Sequence, residues 1–360
     1  MSKARLPAKA GPPAKAVRPA KAARPAKAGR AATGPARPST RPDNSAPAPR
    51  HVVGPVPPLA RVVAALALLA ALTVAVAAFL PYAEVVREVV TAPPLDRLLA
   101  LLWPLTVAAA AVSVLAGVLP RLGLAALGAT GAVAVGTGIR ELYQLGSAGS
   151  HRAVEVFLGR RLVTTAVEPR LAVYLLLAAY ALLVLALVGT LLVWSRTTME
   201  DAGDFDPLRP RALVLAAVAA LAGVLAVVAP THDAPDDVVV GPSGFRTTMS
   251  VPADVTLPER LGLDLAGSAV LALTVFVLAL VAVTLRPRLA AVGCLGGLSA
   301  YFLGSGLVAV TQAGRYDDLQ LGPGGWLALL AGVLFAGVAG WATLARPTAA
   351  EPGEVLPGSG

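Results

Sequence analysis

The densest polar chemistry in the chain lies at Thr231 to Asp237, THDAPDD, where His232, Asp233, Asp236 and Asp237 stand close together. An imidazole among carboxylates can hold a divalent cation. Their spacing matches no established ligand pattern, and no second histidine follows, so the reading assigns no metal and keeps these four as candidates. Two further clusters carry charge beside an aromatic ring. Arg140, Glu141 and Tyr143 fall in GTGIRELYQLG, from Gly136 to Gly146, and Arg315, Tyr316, Asp317 and Asp318 fall in GSGLVAVTQAGRYDDLQLG, from Gly304 to Gly322. If they met above a membrane they could bind a polar headgroup or a partner. Interfacial Tyr and Arg also serve as plain anchors, which is the preferred reading.

Catalytic and cofactor signatures are missing. The single cysteine, Cys294, lies in an apolar run, which excludes an intrachain disulfide and a cysteine-based metal site. The function expected is therefore non-enzymatic, with no cofactor: a membrane scaffold or accessory component of the cell envelope, with a membrane or envelope protein as partner. Two alternatives stand beside it. One is a carrier or permease for an apolar or lipid-like molecule without proton coupling, which requires a lipid-accessible cavity between the halves of the chain. The other is an envelope enzyme using extracytoplasmic loops, which requires His232 and its aspartates to converge.

The elements that must position these residues follow from composition. The chain has 360 residues, 56% of them hydrophobic and only 14% charged, and its mean hydropathy is +0.72. Soluble domains carry roughly 25% charged residues. Apolar runs of about 20 residues recur, each long enough to cross a hydrocarbon core roughly 30 Å thick. The sequence predicts eight transmembrane helices, at 59–80, 97–119, 121–139, 170–194, 212–229, 263–285, 288–311 and 325–345. The first follows basic residues and could pass for a signal peptide, but its apolar region is too long, so it reads as an uncleaved anchor.

The net charge of +9 belongs to one segment. Residues 1–58 hold five Lys and seven Arg against Asp43 alone, whereas the remainder holds 18 Arg, no Lys and 20 acids. Lys3, Lys9, Lys15, Lys21 and Lys27 repeat every six residues among Ala and Pro. Such a segment has little to bury and is expected to be a disordered cytoplasmic tail. Its charge suits anionic lipid headgroups or enforcement of topology; nucleic acid, suggested by a likeness to Ala-Lys-Pro tails of linker histones, ranks below these. Arg-dense short connections at Arg121, 195–211 and 286–288 place both termini in the cytoplasm of a multi-pass cell-membrane protein.

The two halves resemble each other. LPRLGLAALG at 119–128 matches RPRLAAVGCLG at 286–296, and the Gly136 and Gly304 stretches follow the third span of each half. The domains expected are the tail 1–58, a four-helix unit 59–195, a linker 196–211, a second four-helix unit 212–346 and a C-terminal tail 347–360, the units being parallel repeats. Gly293, Gly297, Gly304 and Gly340 lie at small-residue spacing for helix packing, within one chain in preference to a dimer seam. Span interiors lack ionisable groups, which argues against proton coupling. In the loops, Tyr82–Thr91 and His151–Leu162 read as amphipathic surface helices, and Val238–Met249 reads as a hairpin around Gly-Pro-Ser-Gly.

The basic Ala/Pro tail, the Ala/Val/Leu-rich spans and the run PGGWLALLAGVL at Pro323 to Leu334 resemble uncharacterised polytopic membrane proteins of high-GC Gram-positive bacteria. One half is faintly similar to the four-span protein associated with tryptophan operons in that group. The resemblance implies a multi-pass helical fold and carries over no functional residue.

Overall fold

The computed structural model describes residues 51–344, except 86–87, 146–151, 158–159, 202–208, 234–236, 241–245, 250–256, 258–259, 261 and 316–318. The lysines of the N-terminal repeat, Asp236, Tyr316, Asp317, Asp318 and the C-terminal tail lie outside these residues.

Eight helices are long and apolar enough to span a membrane: α1 Pro58–Ala77, α2 Pro94–Leu115, α3 Pro120–Tyr143, α4 Leu171–Arg196, α5 Arg209–Val228, α6 Gly262–Thr284, α7 Arg288–Ala313 and α8 Pro323–Leu344. The chain is a multi-pass helical membrane protein. Prolines open α1, α2, α3 and α8, where the missing N–H would have had no partner inside the helix. Inside α2, Pro104 cannot bond the carbonyl of Ala100 and crowds it, and the helix is interrupted at Leu101.

The side chains are sorted for a bilayer. α1 turns Ala60, Ala64, Ala67, Ala70 and Ala71 inward and leaves Val62, Leu69, Leu72 and Val76 exposed. Small residues let helix backbones approach, while the large apolar ones lose nothing by facing lipid. α3 and α7 are the most buried of the eight.

In the first half, α1 packs on α2 and α4, and α3 packs on the same two helices. In the second, α5 packs on α6 and α8, as does α7. Between the halves α3 runs against α7, while α3 also meets α6 and α7 also meets α2. Exchanging each helix with the one four places on leaves this pattern of contacts unchanged. α3 serves both cores: Leu124, Ala126, Leu127 and Ala134 join the first-half cluster, and Ala125, Ala129 and Val133 join the second.

Glycine sets the central approach. A Cβ on Gly293 would run into the carbonyl oxygen of Leu122 in α3, and one on Gly297 would lie 3.2 Å from that of Ala126. These two glycines pack α7 on α3 of the same chain. Arg121, at the start of α3, clamps the face that bears the start of α1 and the end of α8. Its guanidinium donates to the Thr197 carbonyl at 2.8 Å and the Arg286 carbonyl at 2.9 Å, and lies 5.4 Å from the Trp194 ring centroid. On the same face β1 (His51–Val53) pairs antiparallel with β6 (Met199–Asp201).

The opposite face, the loop face, corrects two expectations. Tyr82–Thr91 and His151–Leu162 form strands and not surface helices: β2 Ala83–Val85, β3 Glu88–Val90, β4 Arg152–Phe157 and β5 Arg160–Pro169 make an antiparallel sheet in the order β3-β2-β5-β4. β-branched residues are common here, in Glu-Val-Val and in the Val-Thr-Thr-Ala-Val of β5, and they pack better on a pleated surface. Arg170, beside Glu84 in an ion pair, ties this sheet to the start of α4. The expected hairpin at 238–249 is present as β8 (Asp237–Val240) and β9 (Arg246–Met249).

Candidate functional site

The third span also differs from expectation. The span does not stop at residue 139 but runs to Tyr143, in a helix whose last turn extends to Leu145, because Ile-Arg-Glu-Leu-Tyr-Gln-Leu suits a helix and packing compensates for the glycines before it. Arg140 and Glu141 therefore lie in the last turns of α3 and not in a loop, so this span does hold ionisable groups.

Arg140 and Glu141, about 100° apart on the helix, face different surroundings. Glu141 accepts a hydrogen bond from Tyr82 on the first-half side. The Tyr82 phenol is held above its ordinary range, by desolvation first and then by the Glu141 carboxylate. Arg140 reaches into the second half, and its Nε lies 3.1 Å from Oδ1 of Asp264. Gly267 makes this possible, since a Cβ there would lie 2.6 Å from the Arg140 side chain. Arg260, only 5% exposed, stands on the other side of Asp264, with its Nε 3.9 Å from Oδ2 and Nη1 donating to the Ser268 hydroxyl at 2.6 Å. Two guanidinium groups thus flank one carboxylate.

They line a small cavity of about 80 Å³ with Thr231, Tyr301 and Ser305 among its polar wall residues. Thr231, Tyr301 and Ser305 also line a larger, open cavity of about 320 Å³, with Ala100 and Trp103 of α2, Gly304, Val308, Ala309 and Gln312 of α7, and His232. Its walls come from both halves. That volume lies at the lower end of the range for small-molecule sites. An aromatic chain crosses the seam here: the Trp103 ring is 6.3 Å from Tyr180 and 6.2 Å from Tyr301, which is 5.2 Å from Phe302.

His232 is positioned by β7 (His232–Asp233), which pairs with β10 (Gln320–Leu321). The glycines that open α8 let this strand come close: Gly324 N–H donates to the Pro230 carbonyl at 2.8 Å, and a Cβ on Gly322 would lie 2.6 Å from that oxygen. Successive strand residues face opposite ways. His232 accordingly lines the cavity while Asp233 is exposed. Asp237 opens β8, and among the described residues no group of three or more His, Cys, Asp or Glu could hold a metal ion. Arg315 is exposed at the end of α7.

The cavity breaks the resemblance between the halves. At Gly136 a Cβ would lie 2.7 Å from the backbone nitrogen of Leu271, so α3 and α6 are in close contact. At the corresponding Gly304 a Cβ would meet nothing within 4 Å, because the α7 to α2 contact opens there into the cavity. Gly340 likewise has no neighbour within 4 Å of a Cβ.

Arg260, Trp103 and Tyr301 escape a reading of the sequence, since each is brought to the seam by helices far apart in the chain. The one local signal is the glycine-rich opening of α8. No protein-family model, curated protein or solved structure matches the chain.

Proposed function

We propose that this protein binds and carries a lipid-like molecule in the seam between its two four-helix halves, without catalysis. The observation that carries the reading is the open cavity at Gly304, bounded by α2 of one half and α7 of the other. Its lining is mostly apolar, as a molecule entering from a bilayer requires. A scaffold role has no such specific feature behind it, and the divergence of His232 and Asp233 gives no support to an envelope enzyme.

Photolabelling with a phospholipid bearing a diazirine in its acyl chain tests the site. Adducts are expected on peptides containing Trp103, Tyr301 and Val308. Adducts only on outward-facing Leu191 and Leu192, 68% and 62% exposed, would place lipid around the protein and not within it.

We also propose that the Arg121 face is cytoplasmic, in a cell membrane, on the strength of its Arg-dense connections. In a Cys294→Ser background, Ala92→Cys should react in whole cells with a membrane-impermeant maleimide and Ser195→Cys should not. The reverse pattern inverts the topology.

A further inference from the structure

We infer that the molecule held in the seam has an uncharged polar end bearing oxygens, as hydroxyl, ester or carbonyl groups, which His232 and Trp103 bond while its apolar chain lies along α7. This rests on the lipid-binding reading and specifies the class of ligand. Three observations converge on it.

The first is where the larger cavity lies and how it opens. α7 lines it from Gln312, in its last turn at the loop face, to Tyr301 three turns deeper, a length of about 16 Å at the helical rise. Ala100 of α2 and Ser305 of α7 are exposed at its edge, so the cavity opens between these two helices as well as toward the loops. A chain can therefore enter sideways from the leaflet on the loop-face side. Its polar end then stays toward the loops, where β7 places His232.

Charge is the second. Among the described residues that line the larger cavity, none carries a fixed charge. Arg140 and Arg260 line the adjoining small cavity, and the protein itself engages both. Arg140 faces Asp264 and Glu141, Arg260 is held by Asp264 and the Ser268 hydroxyl, and each has further partners. A phosphate or carboxylate in the larger cavity would thus be a charge taken out of water without a cation of its own, which is costly.

The third observation is a pair of orphans. Trp103 Nε1 and His232 Nε2 are buried without a hydrogen-bond partner among the described residues, and both residues line the larger cavity. The nearby Ser305 hydroxyl is committed to its own helix, donating to the Phe302 carbonyl at 3.1 Å. Indole nitrogen can only donate, while imidazole donates or accepts according to its tautomer. Hydroxyl, ester and carbonyl oxygens suit both, and an amphiphile with several of them need not bring the two nitrogens to one atom. Both nitrogens are covered, but the second side-chain torsion of Trp and His is soft, so a small turn of either ring presents its nitrogen to the cavity. A plain hydrocarbon would leave both unmet.

The test uses three probes with the same diazirine-bearing chain, a monoacylglycerol, the matching lysophosphatidic acid and the matching alkane, on the full chain in nanodiscs. In wild type the monoacylglycerol should label the Val308 peptide at least about fivefold more than either of the others, as one or two hydrogen bonds allow. His232→Phe, which keeps a flat ring without its nitrogens, should cut the preference over the alkane to about twofold or less and leave labelling by the alkane unchanged. His232→Gln, which keeps a donor and an acceptor, should retain part of it. Trp103→Phe should lower the same ratio, and a thermal scan confirms that each variant folds. A wild type that prefers the lysophosphatidic acid overturns the uncharged head. Equal labelling by all three would mean that water alone meets the two nitrogens, and overturns the head assignment while leaving lipid binding intact. A preference unchanged in both phenylalanine variants overturns the roles of His232 and Trp103. Labelling of Val308 by none of the probes defeats both readings.

Discussion

Gly304→Leu is expected to empty the seam of its lipid and leave the protein folded. A leucine there has room, since a Cβ at Gly304 meets nothing within 4 Å and the cavity beyond measures about 320 Å³. It also replaces the poorest ordinary helix former in the interior of α7, a change worth about 0.8–1.0 kcal/mol in favour of the helix. Thermal stability should therefore hold or rise slightly, while photolabelling at Trp103 and Tyr301 falls at least about tenfold, a loss of 1.4 kcal/mol or more in binding. Full labelling in the variant would mean that lipid does not occupy this cavity.

The same substitution at the corresponding glycine of the first half should do the opposite. At Gly136 a Cβ would lie 2.7 Å from both the Cβ and the backbone nitrogen of Leu271, and 2.8 Å from its Cα. Backbone cannot rotate aside as a side chain can, so α3 and α6 must separate, which also pulls Arg140 from Asp264. Overpacking costs typically about 1–3 kcal/mol, occasionally more. Gly136→Leu should sit at or above the top of that range, because a helix axis has to move, and should show a markedly lower midpoint in a thermal scan in detergent. Unchanged stability would mean that the close contact of α3 with α6 is not present in the membrane. Together the pair separates a glycine needed for packing from one that borders a cavity.

The membrane fold was legible in the sequence because hydropathy and proline placement act locally. Runs of Ala, Val and Leu set the eight helices, and Pro58, Pro94, Pro120 and Pro323 mark where four of them begin. The 238–249 hairpin was equally local, read from valines flanking Gly-Pro-Ser-Gly. Errors arose where two periodicities compete over a short segment. Val85, Val89 and Val90 fit one helical face as well as they fit strands, and only pairing decides between them, of β2 with β5 and of β3 with β2.

The site was less legible because it is made of long-range contacts. Arg140 was a candidate, but its partner Asp264 lies 124 residues on, and no local pattern links the two. Arg260 carried no signal of its own in a polar loop. Nothing local singles out Trp103, and only the packing of α7 places Tyr301 6.2 Å from it. What the sequence offered was the requirement attached to one alternative, a cavity between the halves, together with two matching glycines whose surroundings differ.

Native mass spectrometry of the wild-type chain, released from mild detergent, tests the central claim most directly. One amphiphile per chain should remain bound, and the same adduct should be absent from Gly304→Leu. A bare chain in the wild type, or an equal adduct in both proteins, would contradict a lipid site in the seam.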